Sequence, residues 1–158
     1  MLDLFFGLAQ AALTPLPVVV AQSSLESGAE ASYDSAAEAY NAGLSFHQNE
    51  ALFEAMAAYQ QAIALDPSFV DPYINLSLIY IGFDQLTEAA TLLETVLTLS
   101  DHPEDPASIH ALAHYNLGIV YSRQGDLAKA QTQVNQALAI APDFLPAQTL
   151  AQQLQRAP

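Results

Sequence analysis

The strongest constraint on the fold of this chain is a skeleton of small and bulky apolar residues that occurs three times. It is clearest in residues 115–142, where a helix, a turn at Gly125–Asp126 and a second helix precede Pro142. Gly43 and Ser77, which align in the first two units, are about 34 residues apart, a period typical of helical repeats. The aligned positions are Gly43, Ser77 and Gly118; Phe46, Tyr80 and Tyr121; Ala55, Ala89 and Ala130; Tyr59, Leu93 and Val134; and Ala62, Val96 and Ala137. The chain is therefore predicted to be a short array of repeats.

The residue types at these positions suit paired helices. Gly43, Gly118 and the aligned alanines let two helices approach closely, while aromatic residues fill the space beside them. Gly125 is free to take the positive φ that a chain reversal needs. Pro67 and Pro142 cannot continue a helix, so each is expected to end a pair. Because one pair cannot bury its apolar face alone, neighbouring pairs are expected to stack and share a core.

This pattern resembles the tetratricopeptide repeat over about residues 35–144. The third unit matches the family at Leu117–Gly118, Tyr121, Gly125, Ala130, Ala137 and Pro142, and the first at Ala42–Gly43, Phe46, Ala55, Tyr59, Ala62 and Pro67. The second unit matches more loosely, at Leu76–Ser77, Tyr80, Ala89 and Val96, and it has no closing proline in register. The large aromatic residue that the family carries near the start of its first helix is present only as Tyr73. Ala39 and His114 stand at that position in the outer units, where thinner packing is expected.

The resemblance implies an all-α fold, a right-handed superhelical solenoid (an α-α superhelix) of three repeats. The repeats are placed at about 36–69, 70–103 and 111–144, and a capping helix at 145–158. The hydrophobic pattern predicts individual helices at about 35–47, 51–65, 71–81, 86–99, 106–123, 127–140 and 144–156. The last of these has Ala147, Leu150, Ala151 and Leu154 on one side and glutamines elsewhere, as a solubilising end helix requires.

Charge and composition narrow the classes of function. Seventeen acidic residues against three basic ones give a formal charge of −14, which argues against nucleic-acid binding. An acidic surface steers basic partners towards it, and it also keeps a protein soluble; the sequence leaves both interpretations open. No cysteine is present, so disulfides, thiol nucleophiles and cysteine metal ligands are excluded.

Residues 4–21 are the one long apolar run outside the repeats, and three interpretations of them remain open. Residues 1–22 resemble an export signal, although Asp3 stands where a basic residue is expected. They are alternatively an uncleaved hydrophobic anchor, which Pro15 and Pro17 weaken as a spanning helix. The third interpretation is an apolar arm that packs on the protein or on a partner.

These alternatives set the expected location. Export to a periplasm or lumen, or attachment to a membrane through residues 4–21, is expected, with the cytoplasm as the alternative. Residues 23–34 are small and polar and are predicted to be a linker to the repeats.

The resemblance also implies where a partner binds, because the first helices of successive repeats line a concave groove in this family. The corresponding residues here, called the groove residues below, are Tyr40, Leu44, His47, Ile74, Asn75, Leu78, Tyr115, Asn116, Ile119 and Ser122. The set is largely apolar, which suits an apolar peptide segment, and the two asparagines can bond a ligand backbone. The family's clamp for acidic C-termini needs Lys and Arg in these helices, and Arg123 alone at the edge is not enough. The same residues are alternatively covered by the chain itself or by a second copy.

The insertion at 100–110 raises the question of a metal site. Its surroundings hold three histidines and three carboxylates, namely Asp101, His102, Glu104, Asp105, His110 and His114. His110 and His114 are four residues apart and share a helical face, a spacing that suits zinc. The sequence forms no HExxH, however, and the loop contains two prolines. A solvated acidic loop is the preferred interpretation, and no metal or other cofactor is predicted.

The sequence therefore predicts a non-enzymatic protein–protein interaction module, a small scaffold or assembly factor. No nucleophile elbow, phosphate-binding loop or dinucleotide fingerprint is present, so no catalytic residue is assigned. The predicted partner is a protein with an apolar and somewhat basic segment. The alternative is a permanent structural subunit of a larger complex, membrane complexes included, that docks through the N-terminal apolar arm. Self-association of the array is left open.

Overall fold

Seven α-helices make up the secondary structure of the part of the chain that the computed structural model describes, residues 32–101 and 107–156. Their bounds are α1 Ala36–Gln48, α2 Leu52–Leu65, α3 Asp71–Gly82, α4 Leu86–Val96, α5 Ile109–Arg123, α6 Leu127–Ile140 and α7 Leu145–Arg156. The export-signal, anchor and arm interpretations of residues 1–22 lie outside the described residues, as do the linker up to residue 31 and the loop 102–106. Within the described part, no helix is both long and apolar enough to span a bilayer.

Five of the seven predicted helices agree with the structure to within one residue at each end. The prediction for α4 is wrong at its end, because the last residues leave the α-helical pattern after Val96. Thr98 N–H donates to the Thr95 carbonyl and Leu99 N–H to the Val96 carbonyl, which are bonds of a tighter turn. The prediction for α5 is wrong at its start. The helix begins at Ile109 with Ser108 as its N-cap, since the Ser108 hydroxyl accepts a hydrogen bond from Ala111 N–H at 3.4 Å.

The helices pack as three pairs, α1 with α2, α3 with α4 and α5 with α6, and α7 packs on the last pair. Each pair also contacts the next through α2 with α3 and α4 with α5. The aligned repeat positions on the second helices form the centre of this packing. All nine have 0% exposure, namely Ala55, Tyr59, Ala62, Ala89, Leu93, Val96, Ala130, Val134 and Ala137. The residues that reveal the repeat in the sequence are therefore the residues that hold the pairs together. The described part is an all-helical array of stacked pairs, as the sequence predicts.

Glycine is required where the two helices of a pair come closest. A Cβ atom on Gly43 would lie 2.5 Å from Cε1 of Tyr59, and one on Gly118 would lie 2.6 Å from Cγ2 of Val134. In the second unit the corresponding Ser77 has 0% exposure, and its hydroxyl donates to the Ile74 carbonyl at 2.7 Å. The first and third pairs thus have no room for a methyl group at this contact.

The three turns inside the pairs are built in the same way. Each uses one residue with positive φ: Glu50 at 60°, Asp84 at 61° and Gly125 at 82°. In each, the N–H of the next residue donates at 2.9 Å to the carbonyl of the aligned aromatic residue five positions back, which is Phe46, Tyr80 or Tyr121. This is the hydrogen bond that closes helices ending in a left-handed residue. Only in the third turn is the residue with positive φ a glycine, so the sequence marks this turn and not the other two.

Replacing the close-contact glycines tests this packing. Gly43→Ala and Gly118→Ala are each expected to lower the free energy of unfolding by about 1–3 kcal/mol, because Tyr59 and Val134 are buried and cannot yield. Gly82→Ala is the control, since nothing lies within 4 Å of its Cβ position. That change is expected to be neutral or to stabilise the helix by up to about 1 kcal/mol. Urea denaturation followed by circular dichroism measures all three, and equal effects would contradict the close-contact interpretation.

Tyr59 also gives the fold a dependence on alkaline pH. Its burial, together with the neighbouring Tyr40, raises the pKa of Tyr59 to about 12. The unfolded chain ionises this group near 10, so ionisation favours unfolding. The stability linked to Tyr59 is therefore fully present below about pH 10 and is lost as the pH rises through about 12.

The Tyr59→Phe variant is expected to lose less stability than the wild type between about pH 9 and pH 11.5. It will still lose some, because burial also raises the pKa of Tyr73 and of Tyr121. The measurement is the urea midpoint across this range. A parallel decline in both proteins would show that Tyr59 does not carry the dependence.

Candidate functional site

The first helix of each pair and α7 lie side by side along one face of the described unit. Asn75 on α3 donates to the hydroxyl of Tyr40 on α1 at 3.0 Å. Arg123 at the end of α5 donates to the carbonyl of Ile81 on α3 at 2.5 Å. Helix α7 contacts α5 directly. These contacts bring α1, α3, α5 and α7 into one series, and the ten groove residues are distributed over the first three of them.

At the α1 end, the groove residues are engaged with the core. The Tyr40 ring packs edge-on against Phe69 with centroids 5.0 Å apart, and its centroid lies 5.8 Å from that of Tyr59. His47 places Nδ1 3.5 Å from the Tyr59 hydroxyl. Leu44 packs against the same cluster. Tyr40, Leu44 and His47 are therefore half-buried and take part in the packing of the first pair.

In the middle, α3 presents a more open apolar surface. Leu78 has 41% exposure, whereas the other nine groove residues are half-buried or buried. Ile74 is half-buried and packs against the core of the second and third pairs. Asn75 donates one amide hydrogen to the Tyr40 hydroxyl, and the carbonyl oxygen of the same side chain is a hydrogen-bond acceptor. Leu78 is thus the apolar side chain that a ligand would meet first on α3.

At the α5 end, a cavity of about 420 Å³ opens between α5 and α7, and it is called the α5–α7 cavity below. Three groove residues, Tyr115, Ile119 and Ser122, form its α5 wall. Its other lining residues are Arg123 from α5 and Pro146, Thr149, Leu150 and Gln153 from α7. The Tyr115 ring is held by an edge contact with Phe144, with centroids 5.2 Å apart. The cavity is therefore mainly apolar, with hydroxyl, amide and guanidinium groups at its margin.

The α7 wall is the part of the site that the groove prediction does not include. The sequence predicts only a capping role for α7, yet four of its residues line the cavity: Pro146, Thr149, Leu150 and Gln153. From one turn to the next these positions are three or four residues apart, so they share one helical face. The spacing of these residues can be seen in the sequence. Thr149 and Gln153 are polar, however, so the sequence alone suggests that they face solvent, and only the position of α5 shows that they line a cavity.

One charged side chain, Arg123, is among the lining residues of the cavity. Arg123, the basic residue that lines it, forms an ion pair with Asp84 at 2.9 Å in addition to its bond to the Ile81 carbonyl. The guanidinium of Arg123 is thus bonded to the end of α3 and to the α3–α4 turn. Asn116 is buried, with 5% exposure, so only the edge of its amide is accessible to a ligand.

Two of the three histidines considered for a metal site, His110 and His114, are engaged with protein groups. His110 places Nε2 3.0 Å from the Leu99 carbonyl, and its backbone N–H donates to Asp101. His114 places Nδ1 2.7 Å from the side-chain oxygen of Gln133. Over residues 32–101 and 107–156, no three histidine or acidic side chains are grouped as a metal site would need. His102, Glu104 and Asp105 lie outside the described residues.

Comparison with solved structures finds many similar helical-repeat domains. The TPR domain of Arabidopsis OM64 aligns with a TM-score of 0.67 and 15% identity, over 78% of this chain and 96% of that one. The first TPR of Spaghetti (RPAP3), bound to the HSP90 peptide SRMEEVD, aligns with a TM-score of 0.68 and 15% identity, over 82% and 97%. YrrB, a TPR protein with an unusual peptide-binding site, aligns with a TM-score of 0.65 and 22% identity, over 76% and 58%. At these identities the likeness establishes the fold.

Sequence comparison identifies the family directly. No curated protein sequence matches the chain significantly. A family profile described as tetratricopeptide repeat matches residues 69–143, and one described as TPR repeat matches residues 43–81. Together the two matches span residues 43–143, well over half of the chain. They cover all three units of the repeated skeleton, whose aligned positions form the buried core, and the chain belongs to the tetratricopeptide-repeat family.

Proposed function

We propose that this protein is a non-enzymatic interaction module that binds an extended, apolar segment of a partner protein along α3, α5 and α7. The observation that carries the proposal is the α5–α7 cavity, whose α5 wall is formed in part by the groove residues Tyr115, Ile119 and Ser122. A cavity of about 420 Å³ falls within the range of ligand-binding pockets. It is large enough to take one or two large apolar side chains.

The chemistry of the lining supports an apolar ligand. Tyr115, Ile119 and Leu150 offer apolar surface, while Ser122, Thr149 and Gln153 offer hydrogen bonds at the margin. A ligand side chain that leaves water for such a site contributes on the order of 1–3 kcal/mol. Leu78 offers a further exposed apolar side chain on α3. A few such anchors would give affinity on the order of 1 μM.

The same lining argues against a strongly acidic ligand. The Spaghetti domain is solved with the peptide SRMEEVD, which carries three acidic residues. In the present chain none of the ten groove residues is Lys or Arg, and Arg123 is paired with Asp84. With a net charge of −14, the surface favours a neutral or basic segment. We therefore propose that this member of the family has a different ligand chemistry from the chaperone-tail binders.

Selection of a random peptide library on the immobilised full-length chain tests the proposal. We expect enrichment of peptides with several Leu, Ile or Phe residues and no net negative charge. Leu78→Ala/Ile119→Ala is expected to weaken the selected peptides by about tenfold or more, measured by fluorescence polarisation. Leu65→Ala/Ile140→Ala is the matched control, because these residues have 46% and 43% exposure and lie outside the groove residues. Equal loss in both variants, or no enrichment, would contradict the groove as the site.

A cavity-filling variant tests the contribution of α7. Gln153→Trp places a bulky ring in the α5–α7 cavity and is expected to reduce binding of the selected peptides by at least about tenfold. Gln152→Trp is the control, because Gln152 is exposed on α7 and is not a lining residue. Circular dichroism is expected to be unchanged in both. If Gln153→Trp binds as the wild type does, α7 is not part of the site.

A further inference from the structure

Two phenylalanine rings stack on the surface at the edge where the helices of each pair are joined. Phe53, in the first turn of α2, has 75% exposure, and Phe83, which follows α3, has 41%. Their ring centroids are 5.6 Å apart and their planes differ by 17°. Each ring therefore shields one face of the other and leaves apolar area in water. None of the ten groove residues belongs to this pair.

Acidic residues lie close to these phenylalanines in the sequence. Glu50 occupies the left-handed position of the α1–α2 turn, and Glu54 follows Phe53 in α2. Glu88 lies in the first turn of α4, shortly after Phe83. Phe53, Phe83, Glu50, Glu54 and Glu88 are called the turn edge below.

Two of the three basic side chains of the chain form ion pairs elsewhere, and the third, Arg156, lies at the end of α7. In the described part of the chain, Arg123 pairs with Asp84, and Lys129 pairs with Asp126 at 3.1 Å. Neither ion pair involves a carboxylate of the turn edge. The turn edge thus combines exposed aromatic faces with acidic groups that have no basic partner among the described residues.

We infer that the turn edge is a second docking surface, for a basic, arginine-containing segment of a partner protein. A guanidinium is planar, stacks on an aromatic face and donates hydrogen bonds to carboxylates, so it matches both features at once. A lysine satisfies the carboxylates but stacks less well. The arrangement therefore selects for arginine among basic residues.

Charge argues against two other occupants, a second copy of the chain and its own apolar run. A second copy of this chain carries the same −14, and only three basic residues in all, so two turn edges would repel each other. The chain's own apolar run at 4–21 contains no Lys or Arg, and Asp3 precedes it. It offers nothing to Glu50 or Glu54. A foreign basic segment is the occupant that matches.

The first test is titration calorimetry of the full-length chain with a short, capped peptide of alternating arginine and glycine. Phe53→Ala/Phe83→Ala is expected to weaken binding by about fivefold or more, since two exposed cation–π contacts are lost. Leu65→Ala/Leu145→Ala, which removes exposed apolar residues elsewhere, is expected to change it by less than about twofold. The matching lysine peptide is expected to respond less to the loss of the rings.

The second test distinguishes binding at the turn edge from attraction to the overall negative charge of the protein. Glu50→Gln/Glu54→Gln is expected to weaken the arginine peptide more than Asp34→Asn/Asp143→Asn, which removes the same amount of charge from exposed sites elsewhere. Equal losses would assign binding to net charge alone and overturn the inference. So would unchanged binding in the phenylalanine variant.

Two further outcomes would reassign the turn edge. If sedimentation shows a wild-type dimer that the phenylalanine variant loses, the occupant is a second copy. If slow hydrogen exchange in residues 4–21 becomes fast in that variant, the occupant is the chain's own segment. Either result overturns the inference of a basic partner, and neither bears on peptide binding in the α5–α7 cavity.

Discussion

The close contact between the two helices of each pair is the constraint on which the rest of this structure depends. In the first pair the ring of Tyr59 lies against Gly43, and in the third a methyl group of Val134 lies against Gly118. At this separation the aligned alanines become fully inaccessible to solvent. The first helices are then set close enough for Asn75 to reach Tyr40 and for Arg123 to reach the α3–α4 turn. The candidate site is therefore a consequence of how tightly each pair closes.

Much of this architecture could be predicted because the repeat appears three times in one chain. Small residues, aromatics and alanines at fixed spacing specify two helices and their contact, so five of seven helices are placed to within one residue. The errors at α4 and α5 flank the insertion at 100–110, where the repeat offers no register. There, local hydrogen bonds decide the helix ends: the tight turn after Val96 and the Ser108 hydroxyl. Such bonds are weakly marked in a sequence, since serine and threonine occur in many other settings.

The site itself could be predicted only in part, for a different physical reason. The alignment selects residues by their place on a helix, but it does not say how much of each side chain the neighbours cover. Tyr40 and His47 occupy ligand-facing positions in register, yet both contact Tyr59. Conversely, Thr149 and Gln153 look like solvent-facing residues, and they line the cavity because α7 lies across the open side of α5. The turn-edge phenylalanines also fall outside the repeated skeleton, so no periodicity marks them.

The position of α7 has a consequence for how binding and stability are linked. In the described part of the chain, α7 packs on α5 and α6, whereas the helices before it are joined in pairs. One wall of the α5–α7 cavity is thus formed by a helix that stands outside the repeated pairs. Under the proposed function, a bound segment would contact both walls, so its binding free energy would add to the docking of α7 on α5. Sequence changes along α7 would then alter affinity without altering the contacts between the repeats.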